Sequence, residues 1–207
     1  MKLAIALIFA TYSVTATDLR ITIYNQADLK PEVVDAASDF LKRIFRQSRI
    51  SVELRLGDAN SLEGRLLTYP NPPQPGQEHR VSCDARRDIA LQIRDSSSPG
   101  VRFNILGLDQ PLANRGLNVM MFDDRIRNAA LRFNVAYPAL LAHAIAHEIG
   151  HVMLRSNEHS KSGLMSSSWG GHEYRRLSLG GLLFNHDESA KILGALQGKG
   201  CLTGAGL

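Results

Sequence analysis

His147, Glu148 and His151 are the residues of this chain whose types and spacing carry the most specific chemistry. They stand in the run His147-Glu148-Ile149-Gly150-His151, an H-E-x-x-H pattern. Residues four apart on an α-helix share a face, so two imidazoles at this spacing can reach one ion. Glu148 lies one step round from His147, beside such an ion but not on it. A carboxylate in that place can take a proton from an ion-bound water as the water attacks a carbonyl, then pass it to a leaving amine. Zn2+ suits paired imidazoles, makes its bound water acidic near neutral pH, and polarises a carbonyl. The pattern therefore implies metal-assisted hydrolysis with Glu148 as the catalytic base. An ordinary core helix that happens to carry these side chains would instead bind no stoichiometric metal.

The segment that must position them is Pro138–Arg155, PALLAHAIAHEIGHVMLR. Pro138 suits a first helical turn, and the segment is apolar nearly all round, so it predicts a helix through the middle of the protein. Buried histidines on such a helix need partners, because an unpartnered polar group costs several kcal/mol. His143, His147 and His151 form a four-residue ladder. Its ends are about 12 Å apart along a helix, too far for all three to share one ion. The glutamate follows His147, which selects the pair His147 and His151 and leaves His143 as a hydrogen-bonded histidine, either of the core or supporting a ligand from behind.

The longer run HEIGHVMLRSNEHSKSGLMSSSW resembles the active-site region of metzincin metallopeptidases, most of all the matrixin type. Their pattern is H-E-x-x-H-x-x-G-x-x-H, followed a few residues later by a methionine turn beneath the metal. The resemblance covers residues 143–169, and the order of elements upstream echoes it more faintly. It implies one catalytic Zn2+ on His147, His151 and His159, with Met165, approached by Gly163-Leu164, marking the turn.

Two departures stand out: Leu154 replaces the family's helix-ending glycine, and Asn157 stands where its third histidine would be. A helix running on about half a turn, then reversed at Ser156-Asn157 with Asn157 in the left-handed conformation, would bring His159 back to the metal. The competing third ligand is a glutamate from a later helix, as in thermolysin-like peptidases, with Glu173 and Glu188 as candidates. Tyr174 and His172 are candidates for stabilising an oxyanion, and Trp169 for a core or pocket wall. The resemblance also implies that an extended peptide or protein substrate lies along a sheet edge supplied by the Val101–Phe122 region. The function it implies is a secreted zinc-dependent endopeptidase. The alternatives are a non-catalytic zinc-binding secreted module and a peptidase with a glutamate third ligand.

Around the site, Asp18–Gln26 alternates apolar and polar residues like a half-buried strand. Pro31 opens a helix to about Arg49, with Val33, Val34, Ala37, Phe40, Leu41, Ile44 and Phe45 at three- and four-residue steps. Ile50–Leu56 reads as a second strand, so the chain begins strand, helix, strand, which predicts parallel pairing through a right-handed crossover. Asp88–Arg94 and Asn118–Phe122 are further strands, and Val101–Leu108 a weaker one. Tyr69–Glu78, dense in proline and glycine, predicts an irregular loop. The fold class is α/β (α+β), a mixed twisted sheet carrying the active-site helix. Residues 17–207 form a single domain, since no repeat or linker interrupts them.

Composition narrows the setting. The 207 residues carry 24 Lys and Arg against 20 Asp and Glu, a mild excess of +4 with no concentrated basic stripe, so no nucleic-acid partner is expected. Met1-Lys2, the apolar run Leu3–Ala10 and the small residues before Thr17 have the layout of a secretory signal peptide spanning residues 1–16. No later segment is long and apolar enough for a membrane helix. A secreted or periplasmic location follows as the expectation. Cys83 and Cys201 are the two cysteines, and export makes a disulfide between them the natural reading, worth roughly 4–5 kcal/mol on the chain-entropy model. Two unrelated thiols are the alternative. Asp123-Asp124 is acidic but lacks calcium-loop spacing.

Overall fold

The computed structural model describes residues 17–59, 87–96, 106–112 and 116–198. The expected signal segment 1–16, the loop at 69–78 and both Cys83 and Cys201 lie outside the described residues.

The chain starts with β1 (Thr17–Asn25), α1 (Pro31–Gln47) and β2 (Ile50–Leu56). β1 pairs in parallel with β2, from Thr17 opposite Ile50 to Ile23 opposite Leu56. Alternate β1 residues Leu19, Ile21 and Ile23 are buried, as period-two patterning requires. α1 begins at Pro31, whose missing N–H costs nothing in a first turn, and it buries Val34, Ala37, Leu41, Ile44 and Phe45. The helix stops at Ser48, and Arg49 turns the chain into β2 with φ +60°.

β3 (Asp88–Arg94), β4 (Gly107–Leu112) and β5 (Gly116–Phe122) complete a five-stranded sheet in the order β2-β1-β3-β5-β4. β1, β2, β3 and β5 run parallel, while β4 pairs antiparallel with β5 and forms one edge. Ile89, Leu91 and Ile93 stand opposite Leu117, Val119 and Met121, and all six are buried on one face. On the other pleat Gln92 and Asn118 are buried too, joined by a 3.1 Å amide hydrogen bond. Both faces of the sheet centre are therefore covered, in keeping with its parallel pairing. The weak strand expected at Val101–Leu108 is displaced: the observed strand is Gly107–Leu112, and residues 101–105 lie outside the described residues.

α2 (Asp123–Phe133) follows β5 directly, and the sequence reading did not anticipate it. It buries Ile126 and Ala130 and packs Ala129 and Phe133 partly against the core. α3 (Tyr137–Leu154) is the expected central helix, buried along most of its length. Its start is pinned to α2 through Asp123, which accepts from Arg127 Nε at 2.6 Å and from the Tyr137 hydroxyl. Burial first, then that carboxylate, push the Tyr137 phenol above its ordinary range, so it stays a donor. α4 (Gly171–Ser178) and α5 (His186–Leu196) follow and pack against α3. Among the described residues no helix is long and apolar enough to cross a membrane.

Candidate metal centre

The last turns of α3 carry His147 and Glu148 half-buried and His151 buried. α3 ends at Leu154, and the left-handed residue is Arg155, at φ +51° and ψ +40°, with its N–H bonded to the His151 carbonyl. This corrects the expected reversal at Ser156-Asn157. The break comes earlier because the αL turn hands the next carbonyl, Ser156 O, back to the helix. His151 Nδ1 donates to it at 2.8 Å.

His147 is oriented in the same manner from the other side. Its Nδ1 donates to the Leu164 carbonyl at 2.7 Å, which also accepts from Trp169 Nε1 at 3.2 Å. Trp169 stands edge-on to the His147 ring, with centroids 5.8 Å apart. Trp169 thus borders the site.

Both Nδ1 atoms carry protons that are already committed to carbonyls. In the neutral rings each Nε2 is then a bare acceptor, and the two Nε2 atoms are 3.0 Å apart. Two acceptors cannot satisfy each other. Protonating one ring would join them, but burial above all, with nearby His151 and His159, pushes the His147 imidazole down to about 4. The converging lone pairs are placed to take a shared cation.

His159 completes the group. Its exposed ring lies 5.4 Å from His147 and 4.7 Å from His151, centroid to centroid. One ligand atom from each of His147, His151 and His159 falls within a set no wider than 4.8 Å. Partial burial and the adjacent His151 lower the His159 pKa, which favours the neutral, metal-binding form. Three imidazoles, two of them held by carbonyl acceptors, match the donor set and the supporting hydrogen bonds of a zinc site with one open position.

The glutamates considered as rivals are engaged elsewhere. Glu173 accepts from the Gly170 N–H at 3.0 Å and pairs with His172 at 3.2 Å, at the start of α4. Glu188 is buried at the start of α5, where it accepts from Asn185 N at 2.8 Å and from the Ser160 hydroxyl. Neither belongs to the histidine group. Tyr174 is a core residue stacked on Phe133 at 3.9 Å, and His172 is exposed beside Glu173.

Met165 lies beneath α3, 1% exposed. A Cβ built on Gly150 would come 2.4 Å from Met165 Sδ, so the glycine inside the H-E-x-x-H turn is what lets the methionine in. Gly163, at φ +91°, starts the turn that carries it, and Leu164 N bonds to Leu183 O at 3.2 Å.

His143 stands apart from this group. Its Nδ1 donates to Ala139 O at 2.7 Å, and its Nε2 has no partner in hydrogen-bond geometry, although the Leu182 carbonyl is close. It backs a cavity of about 430 Å³ between α1 and the start of the α4–α5 connection, away from the histidine cluster.

Sequence reasoning missed the acceptors that aim the rings, Ser156 O and Leu164 O, because backbone carbonyls leave no mark in side-chain types. It also missed Ser160. For Glu188 a signal existed: Asn185 three residues ahead makes an N-cap pair, and the structure forms that reciprocal cap.

No family model matches the sequence, and no curated protein matches it. Among solved structures the chain is similar to archaemetzincin from Methanopyrus kandleri, with a TM-score of 0.54 and 15% identity over 89% of this chain and 99% of that one. It is also similar to metalloproteinase-II from Bacteroides fragilis, with a TM-score of 0.50 and 13% identity over 90% of this chain and 55% of that one. The chain spans about half the length of the Bacteroides protein. At these identities the likeness speaks for the fold, which is metzincin-like and agrees with the mixed sheet expected from the sequence.

Proposed function

We propose that the chain is a zinc-dependent peptidase, exported from the cytoplasm, that cleaves peptide bonds within extended protein or peptide substrates. The observation that carries this reading is the pair of imidazole lone pairs converging at 3.0 Å with His159 beside them. His147 and His151 would hold the ion through Nε2, with His159 as third ligand and one position left open. Bound zinc would supply a Lewis acid that polarises the substrate carbonyl and makes water acidic enough to attack at neutral pH.

Glu148, on the turn that carries His147, takes the proton of the attacking water and delivers it to the departing amine nitrogen. Leu164 O and Ser156 O keep the two imidazoles in the tautomer that binds metal. β4, the outer strand at this edge of the sheet, offers its backbone to a substrate added in extended form. The signal-like residues 1–16 support export, and mature protein beginning at Thr17 is the corresponding expectation.

The test is metal content and cleavage together. The parent should retain about one zinc per chain after dialysis and cut an unfolded protein substrate. Glu148→Gln should keep the zinc and lose about 10²- to 10⁴-fold in kcat. His159→Ala should lose the zinc, while Glu173→Ala should keep it. Zinc retained by the parent with no cleavage by any form, across a broad substrate panel, would point instead to a binding module. A parent without stoichiometric zinc would sink the proposal.

A further inference from the structure

The loop that carries His159 has a tether of its own, and its parts are not metal ligands. Ser160, the residue after His159, donates its N–H to Met165 O at 2.8 Å and bridges in parallel to Ser166. Its hydroxyl donates to Glu188 Oε1. Glu188 is 5% exposed, and its other oxygen caps α5 by accepting from Asn185 N at 2.8 Å. The Glu188 N–H is in turn held by Asn185 Oδ1 at 2.9 Å. One buried carboxylate therefore joins the first turn of α5 to the residue next to the exposed His159.

We propose that Glu188, acting through the Ser160 hydroxyl, is the positioning residue that sets His159 over the His147–His151 pair. This rests on the metal reading above and names what makes its third ligand work. The physical reason lies in exposure. His147 and His151 are oriented by their own ring hydrogen bonds to carbonyls. His159 is exposed, and among the described residues its ring-to-ring contacts are with those two histidines alone. Its placement then depends on its backbone, which is pinned immediately after it. Without the Ser160 hydroxyl link, the loop keeps its Met165 bond but loses the connection to α5, and His159 spends less of its time within reach of the ion.

The experiment uses the full chain and zinc itself, with affinity measured by chelator competition and metal-free stability measured in parallel. Ser160→Ala removes the link and leaves the Asn185 cap on α5. It should weaken zinc binding by about 10-fold, the lower end of what loss of an outer-shell partner costs, while the metal-free melting temperature moves little. Ser160→Thr keeps a hydroxyl and should restore the affinity. Asn185→Ala disturbs the α5 cap alone, and should lower the melting temperature while leaving zinc affinity within about twofold. Glu188→Ala loses both contacts and should show both effects; it also stands in for Ser160→Ala if that variant does not fold. A parent that binds zinc alongside a Ser160→Ala or Glu188→Ala variant within twofold of it would overturn the positioning role alone. A parent that binds no zinc would overturn the metal reading and this inference with it.

Discussion

Gly150→Ala sets two ordinary effects against each other at the centre of the site, and the structure says which wins. Gly150 is in the interior of α3, where alanine is the better helix former by about 1 kcal/mol. On an open helix face the substitution would stabilise. Here the new Cβ would lie 2.4 Å from Met165 Sδ, 3.0 Å from Met165 Cε and 3.0 Å from Phe184 Cε1. Ordinary contact begins near 3.4 Å, so Met165 must retreat by about 1 Å. Both neighbours are buried, at 1% for Met165 and 8% for Phe184, and have little room to move. Overpacking of this kind costs about 1–3 kcal/mol, and two buried contacts place the cost in the upper half of that range. The net is a loss of about 1–2 kcal/mol, or roughly 2–8 °C in melting temperature for a domain of this size. Thermal unfolding of the metal-free protein reads it directly. Met165→Ala in the same chain supplies the control: in that background Gly150→Ala should cost at least 1 kcal/mol less, a coupling that only direct contact produces. A melting temperature that rises with Gly150→Ala alone would refute the packing argument.

Two further substitutions test the frame around the site. Arg155 occupies the left-handed C-cap of α3 at φ +51°, where a side chain costs about 1 kcal/mol or more. Arg155→Gly should stabilise by about 0.5–1 kcal/mol in urea unfolding with zinc affinity unchanged, and a loss of stability would count against that strain. Arg20 and Asp88, opposite each other on β1 and β3, make two hydrogen bonds of 2.6 and 2.7 Å between side chains that are 35% and 53% exposed. The Arg20 guanidinium holds the Asp88 carboxyl below its ordinary range, so the pair's contribution is full above about pH 4 and fades as pH falls through the lowered value. Given the exposure, Asp88→Asn should cost no more than about 1 kcal/mol at pH 7, and the gap should narrow by pH 3. A gap that widens in acid would show the sign to be wrong.

The elements that carry the core were legible because their periodicity is set by burial on one face. β2 and β3 coincide with the expected Ile50–Leu56 and Asp88–Arg94, and α3 differs from the expected helix by one residue at each end. α2 was less visible. Its core-facing residues Ile126, Ala129, Ala130 and Phe133 are at helical steps, but two are alanines, most of the other residues are charged, and the apolar Leu131 faces solvent, which blurs the stripe. β4 was displaced because an edge strand pairs on one side only, and its position depends on register with β5 more than on its own pattern. At the site, His147 and His151 were readable from one helix's geometry. The carbonyls that orient them come from loops and could not be.

His159 marks the boundary between what spacing conveys and what it does not. The pattern that the sequence resembles counts residues from the helix to a third histidine, and by that count His159 is two positions late. The structure counts differently. The segment from Ser156 to His159 is held at both ends, by Ser156 O on the His151 ring and by Ser160 on Met165 O and Glu188. Between two such pins the loop need only be long enough to arch over the Nε2 pair, and extra residues bulge outward into solvent, where Asn157 and Glu158 are exposed. Closing a loop lengthened by two residues costs only a fraction of a kcal/mol. The position of His159 is therefore governed by where the pins are, and extra residues on the solvent side of them change the spacing without moving the histidine away from His147 and His151.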